Sequence, residues 1–500
     1  MSELIVAIDQ GTTSSRATVY GLDGQVIALA QQEFPQHYPA SGWVEHDPQE
    51  LWDSVVTTLR EAVRRALEKH PQAQVVAAGI TNQRETVVLW DRRSGEPLHR
   101  AIVWQDRRTA QRCEALQAQG LTPLVTQRTG LQLDPYFSAT KIAWILDQVP
   151  GARERAARGE LAAGTIDCYL IWRLTGGRSH CTDVTNASRT SLYDIDEARW
   201  DDELAQAFGV PVSVLPEVRE SVAEFGRIDP QVLAGDIPIL GVAGDQQAAS
   251  IGQGCVAPGP VKSTYGTGCF MLANTGETRL RADNGLLATI AYAVQGRTTY
   301  ALEGSIFSAG SVVQWLRDAL GIISDASQTE ALAASLDTND GVILVPAFSG
   351  LGAPYWDPHA RAAVLGLSRG AGRAHFARAA LESIAYQTDD LLQAFRGAGV
   401  EPSALNVDGG LTANGWCMQF TADVTDVQVR RPINTETTSL GAACLAMLGH
   451  GALEDITQVS RLWQLDCVFD PSFDASRRGQ LLDAWRGAVA RTRSSTDTSG

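Results

Sequence analysis

Lysine is nearly missing from this chain: three residues, Lys69, Lys141 and Lys262, stand among 500. None falls in the pattern GxxxxGK[ST], so the common lysine-bearing phosphate loop is excluded. Positive charge is scarce as a whole: the formal net charge is −16 and the pI about 5.0. That balance argues against broad binding to nucleic acid or anionic membranes. The eight cysteines form no CxxC pair and lie scattered along the sequence. Neither a disulfide framework nor a cysteine zinc site is expected, and reduced intracellular thiols are. No run of about 18 uncharged apolar residues exists, so no transmembrane helix is expected. Glu3 and Asp9 interrupt the apolar start MSELIVAIDQ, and no secretory leader is expected either. The sequence reads as a soluble cytoplasmic protein that must handle any phosphate locally, with backbone amides, arginine and metal.

What is present is enough for two domains, since 500 residues exceed what one hydrophobic core normally serves. Residues 4–9 read as a buried strand, 14–20 as a second, and Asp23-Gly24 as a turn into a third at 25–30. Apolar spacing predicts a helix over 48–70, with Asp47 as N-cap and Pro48 in the first turn. The stretch 75–90 returns to strands around the polar Asn82-Gln83-Arg84-Glu85. Strands alternating with helices indicate an α/β fold. The pattern restarts near residue 238, where IPILGVAGD is a strand followed by a small-residue helix. VKSTYGTGCFMLANTG then repeats the strand–turn–strand of the opening, and ALNVDGGLTANGWCMQF gives strand, double-Gly turn and helix. Two halves, residues 1–250 and 251–500, are expected to be structural duplicates, and the polar tail RTRSSTDTSG is expected to fray.

Three Gly/Thr turns after apolar strands, DQGTTSS, YGTGCF and VDGGLTAN, suit a nucleotide held in a cleft between the halves. With the longer stretches GWVEHDP, ITNQRET, VWQDRRTA, LDPYFSATK, TNASRT, GDQQAA, GLGAPYWDP and TETTSLGAA, the chain resembles the FGGY carbohydrate kinases. Within them it is similar to the glycerol-phosphorylating branch, from about Ile5 to about Arg491. The resemblance implies two actin-like (ribonuclease H-like) domains with an interdomain cleft, as in the sugar kinase/Hsp70/actin superfamily. It implies ATP as phosphoryl donor with Mg²⁺, glycerol as acceptor, and sn-glycerol 3-phosphate feeding glycerol catabolism and glycerolipid precursors. A homodimer or homotetramer is the family tendency.

By the same resemblance Asp9 supports the Mg²⁺, while Thr12, Thr13, Ser14 and Arg16 meet the β- and γ-phosphates. Thr267 with Gly268 is the matching hairpin of the second half, and Gly310, Gln314, Gly410 and Asn414 surround the phosphates and adenosine. Gly410 has a physical reason, since a missing Cβ lets backbone approach a nucleotide closely. Asp245 is the expected general base, accepting the hydroxyl proton as the oxygen attacks phosphorus. Arg84, Glu85, Trp104, Tyr136, Asp245, Gln246 and Phe270 form the expected polyol pocket, donors and acceptors on one side and aromatic walls on the other. Read without the resemblance, Asp9 is a hairpin cap, Asp245 a helix cap, Arg84-Glu85 an exposed pair, and Trp104 and Phe270 ordinary core. A kinase for another polyol or sugar, such as erythritol or xylulose, and an ATP-driven conformational protein are the alternative functions. Some family members are inhibited by fructose 1,6-bisphosphate through an Arg-bearing loop, or activated at a phosphorylated histidine. Here that region reads DPQVLAGDIP, without Arg, and no His lies between His180 and His359, so neither control is expected.

Overall fold

The computed structural model describes residues 2–281 and 284–494. Its first sheet contains β1 (Glu3–Gln10), β2 (Ser14–Gly21), β3 (Val26–Glu33), β4 (Gln74–Asn82), β5 (Val222–Arg227) and β6 (Pro238–Gly244). Their spatial order is β5-β6-β4-β1-β2-β3. The unbroken apolar run of β1 is explained by cover on both faces, because Leu4, Val6 and Ile8 enter one core and Ile5 and Ala7 another. Helix α1 (Pro48–Lys69) covers the first of these with Leu51, Val55, Leu59, Ala62 and Ala66. It starts where the sequence expects: Asp47 Oδ1 accepts from Gln49 N at 2.8 Å, a cap worth about 1 kcal/mol.

The second sheet holds β7 (Pro260–Tyr265), β8 (Cys269–Gly276), β9 (Leu287–Val294), β10 (Arg297–Ile306), β11 (Ala404–Asp408), β12 (Val429–Pro432) and β13 (Leu465–Phe469). Its order is β9-β10-β8-β7-β11-β12-β13. Without β9 this repeats the order and directions of the first sheet, an antiparallel hairpin, two parallel neighbours and an antiparallel edge, except that the edge strand precedes its neighbour in the first sheet and follows it in the second. The expected duplication is therefore one of topology, with little left of it in the residues.

Each lobe has a helix directly after its second parallel neighbour: α2 (Asp245–Gly252) follows β6, and among those of the second lobe, α3 (Gly310–Asp318), α4 (Gly415–Thr425) and α5 (Thr437–His450), it is α5 that follows β12. Helices α2 and α5 lie against each other with no room for side chains at two points. A methyl on Gly252 would run into the carbonyl of Thr437, and one on Gly441 into that of Ala248. Leu440, Ala442 and Leu445 of α5 also pack on Ile5, Ala7, Ala77 and Ala243 of the first sheet, so a second-lobe helix roofs the first lobe. Overpacked cores typically lose about 1–3 kcal/mol, and we expect at least that from Gly441→Ala, read from urea unfolding. Unfolding at the wild-type midpoint would show that the helices have room to part.

The polar break at Asn82–Glu85 is a change of sheet. β4 ends at Asn82, and the next strand, Val87–Asp91, joins a four-stranded sheet with Glu45–His46, Ala101–Ile102 and Leu161–Thr165. The crossing sets Arg84 and Glu85 at the junction of the two sheets. At the other end Arg491 and Thr492 complete the helix Ala475–Thr492, and Ser494 donates to Asp357 from N at 2.7 Å and Oγ at 2.8 Å. That part of the tail is ordered, against the expected fraying, and the remainder of the expectation, 495–500, lies outside the described residues. All eight cysteines are free thiols. Among the described residues no helix is long and apolar enough to cross a membrane.

Candidate active site

Arg84 and Glu85 are buried, which excludes an exposed pair. Arg84 Nε lies 3.3 Å from Asp245 Oδ1, and its two terminal nitrogens reach Glu303 at 2.5 and 3.1 Å. Glu85 sits at φ 60°, a left-handed conformation that non-glycine residues adopt mainly in constrained places. Its carboxylate accepts from Arg189 Nε at 2.7 Å, and Arg189 Nη2 donates to Glu303 at 2.9 Å. Three cations, Arg84, Arg189 and buried Lys262, thus face three acids, Glu85, Asp245 and Glu303. Burial would push Glu303 up, but Arg189 and Arg84 outweigh it and hold its carboxyl down to about 2.

Asp245 opens α2, its side chain 28% exposed. Gly244 is the N-cap and makes no side-chain cap bond, and Asp245 Oδ1 takes the amide of Gln246 at 2.7 Å. Burial raises the Asp245 pKa against the pull of Arg84 and Lys262. Gln246 accepts from Lys262 Nζ, which also donates to the Phe270 carbonyl at 3.1 Å. Trp104 stands edge-to-face with Tyr136 at 5.5 Å and with Phe270 at 6.2 Å, so the three aromatics form a joined wall.

Asp9 and Arg16 are cross-strand partners in the β1–β2 hairpin. Burial pushes the Asp9 carboxyl up to about 6, Arg16 opposing and Asp245 adding to the rise. A buried acid raised in this way fits a divalent cation, and Mg²⁺ needs only one or two carboxylates beside phosphate and water oxygens. Among the described residues no group of three or more His, Cys, Asp or Glu forms an all-protein cage. Thr12 Oγ1 accepts from Trp104 Nε1 at 3.0 Å, joining the Gly11–Thr13 turn to the aromatic wall. Thr13 is exposed, and Ser14 Oγ accepts from Gln31 at 3.0 Å. Arg16 is ion-paired with Glu436 of the second lobe and hydrogen-bonded to Gln31 at 3.1 Å, so in this structure its guanidinium is already engaged.

Thr267, Gly310, Gln314, Gly410 and Asn414 line one cavity of about 450 Å³ between the β7–β8 turn, α3 and the start of α4. The turn is fixed from α3, whose Gly310 N donates to Gly266 O at 2.9 Å and Ser311 N to Thr267 O at 3.0 Å. Asn414 also caps α4, its Oδ1 accepting from Cys417 N at 2.9 Å. Gly410 has open space where a Cβ would stand, on the cavity side. The glycine that backbone geometry requires is its neighbour Gly409, at φ 91° and pressed against the Tyr265 backbone.

Two family descriptions match this chain: the N-terminal domain of the FGGY family of carbohydrate kinases over residues 4–252 and the C-terminal domain over 261–450. The chain belongs to the FGGY family of carbohydrate kinases. A glycerol kinase of Rhodospirillum centenum is 58% identical over 490 residues, 98% of each chain. One of Brucella ovis is 56% identical over 494 residues, 98% of this chain and 99% of that one. Among solved structures, Plasmodium falciparum glycerol kinase with ADP superposes with a TM-score of 0.93 at 37% identity, covering 98% of both chains. A xylulose kinase from Lactobacillus acidophilus, 21% identical with a TM-score of 0.87 and coverage of 98% and 99%, shares the fold.

In this FGGY kinase Glu303, Arg189 and Lys262 are buried charged residues of the site that the sequence alone did not single out, and Gly409 shapes the turn beside the cavity. One signal was available: Glu303 is an acid in the middle of the apolar strand TTYALEGSI, which demands a buried cation. Asp9 gives a pH test. Its folded pKa is raised, so its stabilising share is complete below the ordinary carboxylate range and is lost as pH rises through about 6. Metal-free Asp9→Asn is therefore expected to be more stable than wild type by about 1–3 kcal/mol near pH 8, with the gap closing near pH 4. Urea midpoints at the two pH values check it, and a gap that does not change with pH would count against a raised Asp9.

Proposed function

We propose that this kinase transfers the γ-phosphoryl group of ATP to a terminal hydroxyl of glycerol, giving sn-glycerol 3-phosphate and ADP. The observation that carries the reading is Asp245, a half-buried carboxylate at the mouth of α2 held 3.3 Å from the Arg84 fork. Arg84 and Glu85 bind two hydroxyls of the polyol as donor and acceptor, and Trp104, Tyr136 and Phe270 cover its carbons. Gln246 orients the same substrate beside Asp245. As the hydroxyl oxygen bonds to phosphorus, the bond from phosphorus to the β-phosphate oxygen breaks and the hydroxyl proton passes to Asp245. Asp9 would hold Mg²⁺, which would neutralise phosphate charge. Amides and hydroxyls of Thr12, Thr13 and Ser14 and of Thr267 fix the phosphates, and Arg16 joins them when it leaves Glu436. Gly310, Gln314, Gly410 and Asn414 hold the nucleotide. In this reading residues 1–250 supply the polyol site and first phosphate turn, and residues 251–500 the nucleotide site.

Identity above 55% over nearly the whole length to named glycerol kinases supports glycerol over longer polyols. A site built to pair hydroxyls rejects analogues that strand its buried polar groups. The test is ADP release from MgATP with glycerol, erythritol, dihydroxyacetone, xylulose or no acceptor. Turnover should be strong with glycerol and absent without acceptor. Turnover confined to a longer polyol would overturn the substrate, and acceptor-independent turnover would overturn the kinase reading.

A further inference from the structure

The stretch Gly-Trp-Val-Glu-His-Asp-Pro, residues 42–48, takes no direct part in this chemistry, yet His46 within it lies beneath the first phosphate turn. The imidazole has no exposed surface and packs edge-on against Phe34 at 5.1 Å. Its Nε2 is 2.8 Å from Gln36 Oε1, and its Nδ1 is 3.3 Å from Gln83 Nε2. Gln36 Nε2 donates to the Thr12 carbonyl at 3.1 Å, so Gln36 Oε1 is an acceptor and His46 Nε2 carries the proton. Gln83 Oε1 accepts from Thr86 Oγ1 at 2.9 Å, and that hydroxyl oxygen accepts from Trp104 N at 3.1 Å. The Gln83 amide nitrogen therefore faces His46 and makes Nδ1 an acceptor. The same nitrogen, with two hydrogens, also lies 3.0 Å from Gln10 Oε1 and 3.2 Å from the Gly11 carbonyl, which accepts from Gln10 Nε2 at 2.7 Å. Trp104 Nε1 closes the circuit on Thr12 Oγ1. The Gln36 link admits one imidazole tautomer, with the proton on Nε2, and the Gln83 amide nitrogen beside Nδ1 is compatible with no other. Burial pushes the His46 pKa down to about 3, with His37 adding to the fall, so the ring stays neutral at any working pH.

We propose that His46 is a positioning residue whose Nε2–H tautomer fixes the Gly11–Thr12–Thr13 turn against the phosphates and ties it to the Trp104 wall of the polyol site. The physical reason is peptide planarity. In a trans peptide the N–H points opposite to the preceding carbonyl. Pinning the Gly11 and Thr12 carbonyls toward the buried network turns the Thr12 and Thr13 amides to the other side. Among the described residues neither amide has a protein acceptor. Phosphoryl transfer depends on such fixed dipoles, and small displacements of them are costly.

The proposal rests on the kinase reading above, and its test separates the two. His46→Asn keeps an acceptor toward Gln83 but loses the donor to Gln36, and Gln36→Met cuts the same link from a partly exposed position. Each is expected to lower kcat/KM for MgATP by about ten- to a hundredfold, with KM for glycerol within about threefold of wild type. The double variant should be no worse than the more damaged single, because both break one path. Calorimetric affinity for a non-hydrolysable MgATP analogue should fall in both variants. Imidazole ¹⁵N shifts of the wild type should report a neutral Nε2–H ring from about pH 5 to 9. An Nδ1–H tautomer, or analogue affinity within about twofold of wild type in the variants, would overturn it. If His46→Asn does not fold, Gln36→Met and the ¹⁵N shifts decide alone. Should wild type ignore glycerol while both variants lose analogue affinity, the substrate reading fails and the His46 assignment stands.

Discussion

Asp245→Asn is expected to lower kcat by about 10²- to 10⁴-fold while MgATP affinity stays within about threefold. In the proposed reaction this carboxylate accepts the proton of the attacking hydroxyl. It opens α2, where the helix dipole favours negative charge, and Oδ1 is already occupied by the Gln246 amide at 2.7 Å and by Arg84 at 3.3 Å. Burial raises its pKa while Arg84 and Lys262 keep the charged form accessible, the compromise a general base needs. Asparagine preserves the size and the oxygen facing Arg84 but cannot take a proton. Steady-state kinetics with glycerol and calorimetry with a non-hydrolysable analogue check the two halves. A variant retaining more than about a tenth of wild-type kcat would move the base elsewhere.

Glu303→Gln is expected to cost about 3–5 kcal/mol of stability and to raise the KM for the polyol. Glu303 neutralises two buried arginines at once, at 2.5 and 3.1 Å from Arg84 and 2.9 Å from Arg189. Without its charge both guanidiniums compete for Glu85 and Asp245, and the Arg84 fork proposed to receive the polyol loses its fixed direction. Among the described residues Arg189 Nη1 has no partner, so there is little slack to absorb the change. The double variant Arg189→Met/Glu303→Gln removes one charge of each sign and should recover part of the stability while the polyol KM stays high. Urea unfolding and acceptor titrations read the two effects. Stability within about 1 kcal/mol of wild type and an unchanged KM would mean that Glu303 is dispensable.

The local part of this molecule was legible in its residues. The opening hairpin, α1 with its Asp47 cap, and the β6–α2 junction that presents Asp245 follow from periodicity, turn chemistry and capping, which act over a few positions. Five expected nucleotide residues from three distant segments meet at one cavity, because each turn ends a strand on the same edge of the second sheet. Pairings across the chain were not legible. Arg189 and Glu303 are 114 positions apart, and Arg16 meets Glu436. A charged residue announces that it needs a partner, but its neighbours do not say which one. Arg16 shows the limit most plainly: its place just after the Gly11–Thr13 turn was readable, and its present partner from the other lobe was not. Gly410 and Gly409 divide similarly, since adjacent glycines look alike until backbone angles separate the one that opens the cavity from the one that makes the turn.

The helix pair α2–α5 bears on how such a chain can be recombined. The two lobes repeat one topology, which invites exchanging the second half for that of another kinase of the same fold. Yet α5 lies on the first sheet, with Leu440, Ala442 and Leu445 against Ile5, Ala7 and Ala77, and its Gly441 meets the Ala248 carbonyl of α2. A transplanted half would carry in a foreign ceiling for the lobe it joins. The seam that a chimera must respect therefore runs along the faces of this helix, and a graft cut between the sheets has to bring the matching surface of the first sheet with it.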